Sequence, residues 1–136
     1  MKNIFTNVSL TPPPKLLPVL QKLKTVYSQW YIYYHILPKP HRHSLGWRID
    51  SLFIETIEAV ATAGFLAREE KLPYVRYAIR KLDTIQVLLL VLWENKSLTS
   101  KQYILIAQGV EEVGRNLGGW SGKLRKENSP TKQERK

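Results

Sequence analysis

The apolar residues of this chain recur at helical spacing in four successive segments. Within each segment the intervals alternate between three and four residues, which places the apolar side chains on one face of a helix. Sustained alternation at period two, which would predict strands, is not found in the sequence. The pattern therefore predicts an all-α protein with helices over about 15–37, 44–68, 73–94 and 100–124.

Prolines and polar stretches mark the ends of these segments. Pro73 is well placed as the first residue of the third helix, and Thr99 with Gln102 is predicted to form a capping box at the start of the fourth. The short connections favour an antiparallel up-down four-helix bundle over residues 15–125. A proline-rich lead-in, 1–14, precedes this predicted bundle, and a disordered basic tail, 126–136, follows it.

Two of the predicted helices carry more apolar surface than one face of a bundle helix requires. Residues 87–93 are apolar on every side of the third helix, and a second apolar stripe lies beside the first on the second helix. A surface helix normally keeps one polar face, so we expect self-association through this extra surface. The candidate interface residues are Phe53, Ile57, Val60, Leu88 and Val91. The alternative is that these residues thicken the core or contact the lead-in.

The charge of the chain lies mainly at its two ends. The 136 residues carry a net charge of +10, from 21 Lys and Arg against 11 Asp and Glu. Residues 1–43 contain six basic and no acidic side chains, residues 44–120 contain nine of each, and residues 121–136 contain six basic and two acidic. This asymmetry predicts an anionic partner, with nucleic acid favoured over membrane. Solubility alone is the alternative explanation.

The sequence contains no recognisable catalytic or metal-binding motif. Cysteine is absent, which excludes disulfides, zinc–cysteine sites and thiol nucleophiles. His35, His41 and His43 occur in one short stretch without a nearby carboxylate, so neither a metal site nor a cofactor is expected. The most apolar stretch, 84–93, is too short to span a bilayer, and the start resembles no signal peptide. We therefore expect a cytoplasmic protein that is not an enzyme and has no membrane partner.

Basic side chains cluster at three places where they could contact phosphates. Arg and Lys neutralise phosphates whatever the base sequence, which makes such binding salt-dependent. For any one of these cations the alternative is an ion pair with a neighbouring carboxylate, for which Asp83 and Glu112 are candidates. The candidates are Lys39, Arg42 and Arg48 around the start of the second helix, Arg76, Arg80 and Lys81 on the third, and Lys123, Arg125 and Lys126 at the end of the fourth.

The aromatic residues of the first helix fall into two groups. Tyr27, Trp30 and Tyr34 lie on the apolar stripe and are predicted to pack in the core. Tyr31 and Tyr33 lie off the stripe and are freer to stack on bases, as aromatics of single-strand-binding proteins do.

Two tryptophans and three glycines are predicted to serve packing. Trp47 and Trp120 follow glycines and are interpreted as packing anchors. Gly114, Gly118 and Gly119 on the fourth helix each disfavour helix by roughly 1 kcal/mol relative to Ala. Such glycines usually allow another backbone to approach closely.

Four motifs within residues 15–125 give the chain a family resemblance. They are PKPHRHSLG at 38–46, KLP at 71–73 with RKL at 80–82, LTSKQY at 98–103, and VGRNLGGW at 113–120. In these motifs the chain resembles the accessory variability determinant (Avd) proteins of diversity-generating retroelements. The Gly-Arg-x-Leu-Gly-Gly-Trp motif is the most specific of them.

The resemblance implies a function that composition alone does not reach. It implies a homopentameric ring of four-helix bundles that binds nucleic acid and associates with a reverse transcriptase. Such a protein supports mutagenic cDNA synthesis from template RNA and has no catalytic activity of its own. A pentamer would use the surplus apolar faces of the second and third helices. Carried over from the motifs, the candidate contacts with nucleic acid or reverse transcriptase are Lys39, Arg42, Arg48, Arg80, Lys81 and Arg115, and Arg76 joins them by its spacing.

A second branch of the same fold offers an alternative function. Its members are encoded in intervening sequences of large-subunit ribosomal RNA. On that alternative the protein is an interaction scaffold whose charge serves docking or solubility.

Overall fold

Four long helices make up most of residues 17–129, the part of the chain that the computed structural model describes. They are α1 (Leu17–His35), α2 (Trp47–Phe65), α3 (Arg68–Glu94) and α4 (Ser100–Glu127). These residues contain no strand, so the all-α prediction is confirmed. None of these helices combines the length and the apolar character needed to cross a membrane. The predicted lead-in, 1–14, and residues 130–136 of the predicted tail lie outside the described residues.

Helical backbone begins before α2, earlier than the predicted start at 44. A short α-helical turn (Lys39–His41) and a π-helical turn (Arg42–Gly46) lead directly into α2. Pro40 is tolerated in the first of these turns because its missing N–H would have no partner inside the helix there. Gly46 is buried, and a Cβ on it would lie 2.8 Å from Leu37 Cδ1. The absence of a side chain at Gly46 thus allows the end of α1 to pack on this turn.

The third helix begins at Arg68 rather than at Pro73, so the predicted role of Pro73 as its first residue is wrong. The carboxylates of Glu69 and Glu70 lie in the first turn, where the helix dipole favours negative charge. The Lys71 ammonium donates to Ala63 O at 2.7 Å, which satisfies a carbonyl in the last turn of α2. These interactions support helix upstream of the proline, whose missing N–H removes only one hydrogen bond.

The start of the fourth helix is the capping box that the sequence predicts. Thr99 Oγ1 accepts from the Gln102 N–H at 3.1 Å, and Thr99 N–H donates to Gln102 Oε1 at 3.0 Å. At its other end α4 continues to Glu127. Lys126, assigned by sequence to the disordered tail, is therefore helical.

The core is filled by apolar side chains from all four helices. Packing contacts join α1 to α2 and α4, and join α3 to α2 and α4. Trp30 is fully buried, with its ring stacked on Tyr34 at a centroid distance of 5.6 Å and on Phe53 at 6.1 Å. Tyr27 also packs against the core, which confirms the predicted roles of Tyr27, Trp30 and Tyr34.

One polar group is shared by this aromatic cluster. The Trp30 indole N–H donates to Asp50 Oδ1 at 3.3 Å. Burial raises the pKa of the Tyr27 hydroxyl, and its hydrogen bond to Asp50 raises that pKa further. The single carboxylate of Asp50 therefore provides a partner for two aromatic side chains of α1.

Two of the five predicted interface residues are placed wrongly by the sequence analysis. Phe53 and Val60 are 0% exposed and belong to the core of the single chain. The reason is that α2 packs on both α1 and α3, so two stripes on its surface face other helices of the same chain. Ile57, Leu88 and Val91 are half-buried, and the first two pack against the core.

Gly109 allows two helices to pack closely, whereas the three glycines selected from the sequence do not. A Cβ on Gly109 would lie 2.6 Å from Val26 Cγ2, across the contact between α1 and α4. No atom would lie within 4 Å of a Cβ on Gly114, Gly118 or Gly119. The expectation that another backbone approaches these three is therefore wrong within the described chain.

We predict that Gly109→Ala destabilises the protein by about 1–3 kcal/mol, because the branched Val26 side chain has little rotamer freedom with which to avoid the new methyl group. Gly118→Ala is the matched control, since its methyl group meets nothing and alanine favours helix by about 0.5–1 kcal/mol. Urea unfolding followed by circular dichroism measures both changes. Equal effects of the two substitutions would contradict the close packing at Gly109.

Candidate nucleic-acid interface

The third helix presents two arginines to solvent. Arg76 and Arg80 lie one helical turn apart, and both are exposed. Neither guanidinium has a carboxylate partner among residues 17–129. Asp83, considered above as such a partner, forms no ion pair with them. Both charges are thus available to an external anion.

Beside this pair, two further predicted cations share one carboxylate. Lys81 Nζ lies 3.3 Å from Glu55 Oε1, and Arg48 Nη1 lies 3.8 Å from Glu55 Oε2. Lys81 Nζ also lies 4.7 Å from the centroid of the Tyr77 ring, within range of a cation–π interaction. One negative charge for two positive ones leaves this junction of α2 and α3 with a net positive charge.

The two predicted cations ahead of α2 differ in their surroundings. The Arg42 guanidinium donates from Nε and Nη2 to Leu37 O, at 3.4 and 3.3 Å, and its side chain is half-buried. Arg42 thus satisfies a backbone carbonyl just after α1. Lys39 is exposed. His41 Nδ1 is hydrogen-bonded to Ser97 Oγ, which links this turn to the loop before α4.

The predicted cations of α4 also divide into two kinds. Arg115 Nη1 is ion-paired with Glu111 Oε1 at 2.6 Å, which offsets its charge. Lys123, Arg125 and Lys126 are exposed near the end of the helix and have no carboxylate partner among the described residues. The helix dipole favours cations at this end.

Four aromatic positions chosen from the sequence have mixed outcomes. Tyr31 is 49% exposed, as predicted, whereas Tyr33 is half-buried and packs against the core. Trp120 packs against the core, which confirms its predicted role. Trp47 is 60% exposed, so its prediction as a packing anchor is wrong.

Two exposed tyrosines on α3 were not among the residues selected from the sequence. Tyr74 and Tyr77 are 42% and 37% exposed and lie one turn apart. Their positions alternate with Arg76 and Arg80 along the sequence, and both tyrosines line one groove together with Arg80. Tyrosines interleaved with arginines at helical spacing were the signal in the sequence that could have identified them.

Exposed aliphatic side chains from α3 and α4 were missed as well. Val87 is 59% exposed, Leu90 39% and Ile104 49%, and together they line a groove between the two helices. The apolar run 87–93 was the signal for this surface, but it did not indicate which of its members face outward.

No group of three or more His, Asp or Glu side chains within residues 17–129 is arranged to hold a metal ion. His41 is hydrogen-bonded to Ser97, and the His35 ring is tilted against the Tyr31 ring with 4.2 Å between centroids. These two histidines of the predicted stretch therefore make separate contacts.

No family model matches the chain, and no curated protein or solved structure gives a significant match.

A carboxylate at the contact between α1 and α4 has a shifted pKa. Lys22 Nζ lies 2.6 Å from Glu112 Oε1, and this hydrogen bond together with the lysine charge lowers the pKa of the Glu112 carboxyl. A carboxyl whose pKa is lowered by folding stabilises the protein while it is ionised.

We predict that Glu112→Gln lowers stability near neutral pH and that this difference from wild type disappears in acid. The stability that the ionised Glu112 carboxylate provides is fully present above the ordinary pKa of a glutamate and is lost as pH falls through the lowered pKa of Glu112. Below that pKa the wild-type carboxyl is protonated and, like the Gln side chain, uncharged. Urea unfolding as a function of pH measures this stability difference. Glu94→Gln is the control, since exposed Glu94 has no ion-pair partner among the described residues. If both variants showed the same pH dependence of stability, the role of Lys22 would be contradicted.

Proposed function

We propose that this protein is a non-catalytic accessory protein of a diversity-generating retroelement, binding nucleic acid and the reverse transcriptase during mutagenic cDNA synthesis from template RNA. The motifs within residues 15–125 support the family, and the observation that carries nucleic-acid binding is the exposed pair Arg76 and Arg80 without carboxylate partners. On this proposal the protein acts in the cytoplasm.

The chemistry of the α3 surface supports binding without sequence readout. The guanidinium groups of Arg76 and Arg80 would each contact phosphate oxygens, and Lys81 would add a third charge nearby. Phosphate contacts hold a strand in place but carry no base information. A protein that must follow a template of any sequence needs this kind of contact.

The finer architecture that we propose is an antiparallel up-down bundle. Arg68 in the first turn of α3 is ion-paired with Glu127 at the end of α4, at 3.4 Å between Nε and Oε1. Lys71 near the start of α3 bonds to Ala63 near the end of α2. Both contacts join the start of one helix to the end of its neighbour, as antiparallel packing requires.

We also propose that five such bundles form the ring implied by the resemblance. Exposed Val87, Leu90 and Ile104 support self-association, and half-buried Leu88 and Val91 adjoin them in the sequence. Five chains at +10 each would bring about +50 to one assembly, which would attract RNA from a distance.

The alternative of an interaction scaffold is favoured by a different observation. Lys22 is paired with Glu112 and Arg115 with Glu111, so part of the positive charge is already offset within the chain. The exposed aliphatic groove between α3 and α4 would then be the main functional surface.

We predict that the double substitution Arg76→Ala, Arg80→Ala weakens binding of a single-stranded RNA oligonucleotide. It should also make the slope of log affinity against log salt shallower by about 1.4, because each lost phosphate contact on a single strand contributes about 0.7. Fluorescence anisotropy titrations over a series of salt concentrations measure this slope.

The matched control is Lys24→Ala, Lys101→Ala, which makes the same change in net charge at exposed residues of α1 and α4. An equal loss of affinity in both double variants would show that net charge alone drives binding. A wild-type slope near zero would rule out phosphate contacts and favour the scaffold.

We predict that the wild-type protein sediments at the mass of five chains and that Val87→Asp, Ile104→Asp dissociates the assembly, because burying two unpaired carboxylates in an apolar interface is unfavourable. Analytical ultracentrifugation measures both. A monomeric wild type at micromolar concentration would contradict the ring.

A further inference from the structure

A groove of about 460 Å³ between α2 and α3 includes one arginine of the exposed pair in its wall. Tyr74, Tyr77 and Arg80 line this groove from α3. Ala59 lines it from α2 with only a methyl group, which leaves room between the two helices for a flat ring. Two aromatic rings and a guanidinium are thus brought together at one opening of the surface.

The groove carries charges of both signs, with the cations in excess. Glu55 in its wall is already ion-paired with Lys81 at 3.3 Å and with Arg48 at 3.8 Å. Glu58 and Arg80 also line the groove, and neither has an ion-pair partner among the described residues. Three cations against two carboxylates leave a net positive charge here, which favours a negatively charged strand beside the groove.

Of the two tyrosines in the groove, Tyr74 has the ring that is open to a ligand. Lys81 Nζ lies 4.7 Å from the centroid of the Tyr77 ring, so a cation of this chain already occupies that ring. Tyr74 is 42% exposed, and neither an aromatic ring nor a cation lies against it within the described part of the chain. Such a ring can stack on a nucleobase of any sequence, because every base presents a flat π-face.

We propose that the groove takes up an unpaired base of a single strand, which stacks on Tyr74 while Arg76 and Arg80 hold the flanking phosphates. This inference rests on the proposed nucleic-acid binding and specifies its ligand as single-stranded. A base is neutral and suits a groove with charges of both signs, whereas Glu58 would repel a phosphate placed there. In a duplex each base is already stacked and paired, so a duplex contacts only the two arginines.

The test uses three fluorescein-labelled RNAs, titrated with the full-length protein and followed by fluorescence anisotropy at one salt concentration. They are a single strand, the same strand paired in a duplex, and a strand of equal length built from abasic nucleotides. We expect Tyr74→Leu to lower the affinity for the single strand about fivefold or more. Its affinities for the duplex and for the abasic strand should equal those of the wild type. Tyr74→Phe is the matched control, because it keeps the ring and should bind the single strand as the wild type does.

The same three RNAs separate this inference from the proposed nucleic-acid function. Arg76→Ala, Arg80→Ala should weaken binding of all three, because each of them presents phosphates. The inference is overturned if Tyr74→Leu leaves the affinity for the single strand unchanged, or lowers all three affinities equally. It is also overturned if Tyr74→Phe is as weak as Tyr74→Leu. In each of these cases phosphate binding by the arginines would still stand, whereas a wild type that binds none of the RNAs would refute both proposals.

Discussion

The packing of Trp30 against Phe53 is the contact on which the arrangement of the bundle depends. The indole of Trp30 is fully buried between Tyr34 and Phe53, and its N–H is satisfied by Asp50 of α2. An indole buried without an acceptor would be unfavourable by about 1–3 kcal/mol. The aromatic stack and this single hydrogen bond together fix how α2 is rotated about its own axis against α1.

That rotation decides which side chains of α2 meet α3. With Phe53 turned into the core, Glu55 lies at the junction with α3, where it meets both Lys81 and Arg48. Glu58 follows three residues later, on the wall of a groove between α2 and α3. The orientation of α2 that places Phe53 in the core thus also places Glu55 and Glu58 on the side of α2 that faces α3.

The surface of α3 keeps a net positive charge although carboxylates of α2 lie beside it. Arg76 and Arg80 face solvent without a carboxylate partner, whereas Glu55 of α2 is already ion-paired with Lys81 and Arg48. The net charge of +10 does not describe this surface, because the ion pairs that Lys22 and Lys81 form across helices offset some cations and leave others exposed. Function on such a surface depends on which charges are paired, and pairing across helices is a property of the tertiary structure.

The sequence by itself determined the helices and much of the core. The three–four spacing identified Trp30 and its neighbours as core residues, and Thr99 with Gln102 predicted the start of α4, because both signals depend on residues close in the chain. It also identified the spacing of Arg76 and Arg80 on one face. Only the tertiary structure decided that Phe53 and Val60 are internal, that Gly109 lies at a close helix contact and that Glu55 of α2 pairs with Lys81 of α3. Each of these depends on which neighbouring helix faces the residue, and a pattern along one helix carries no information about its neighbours.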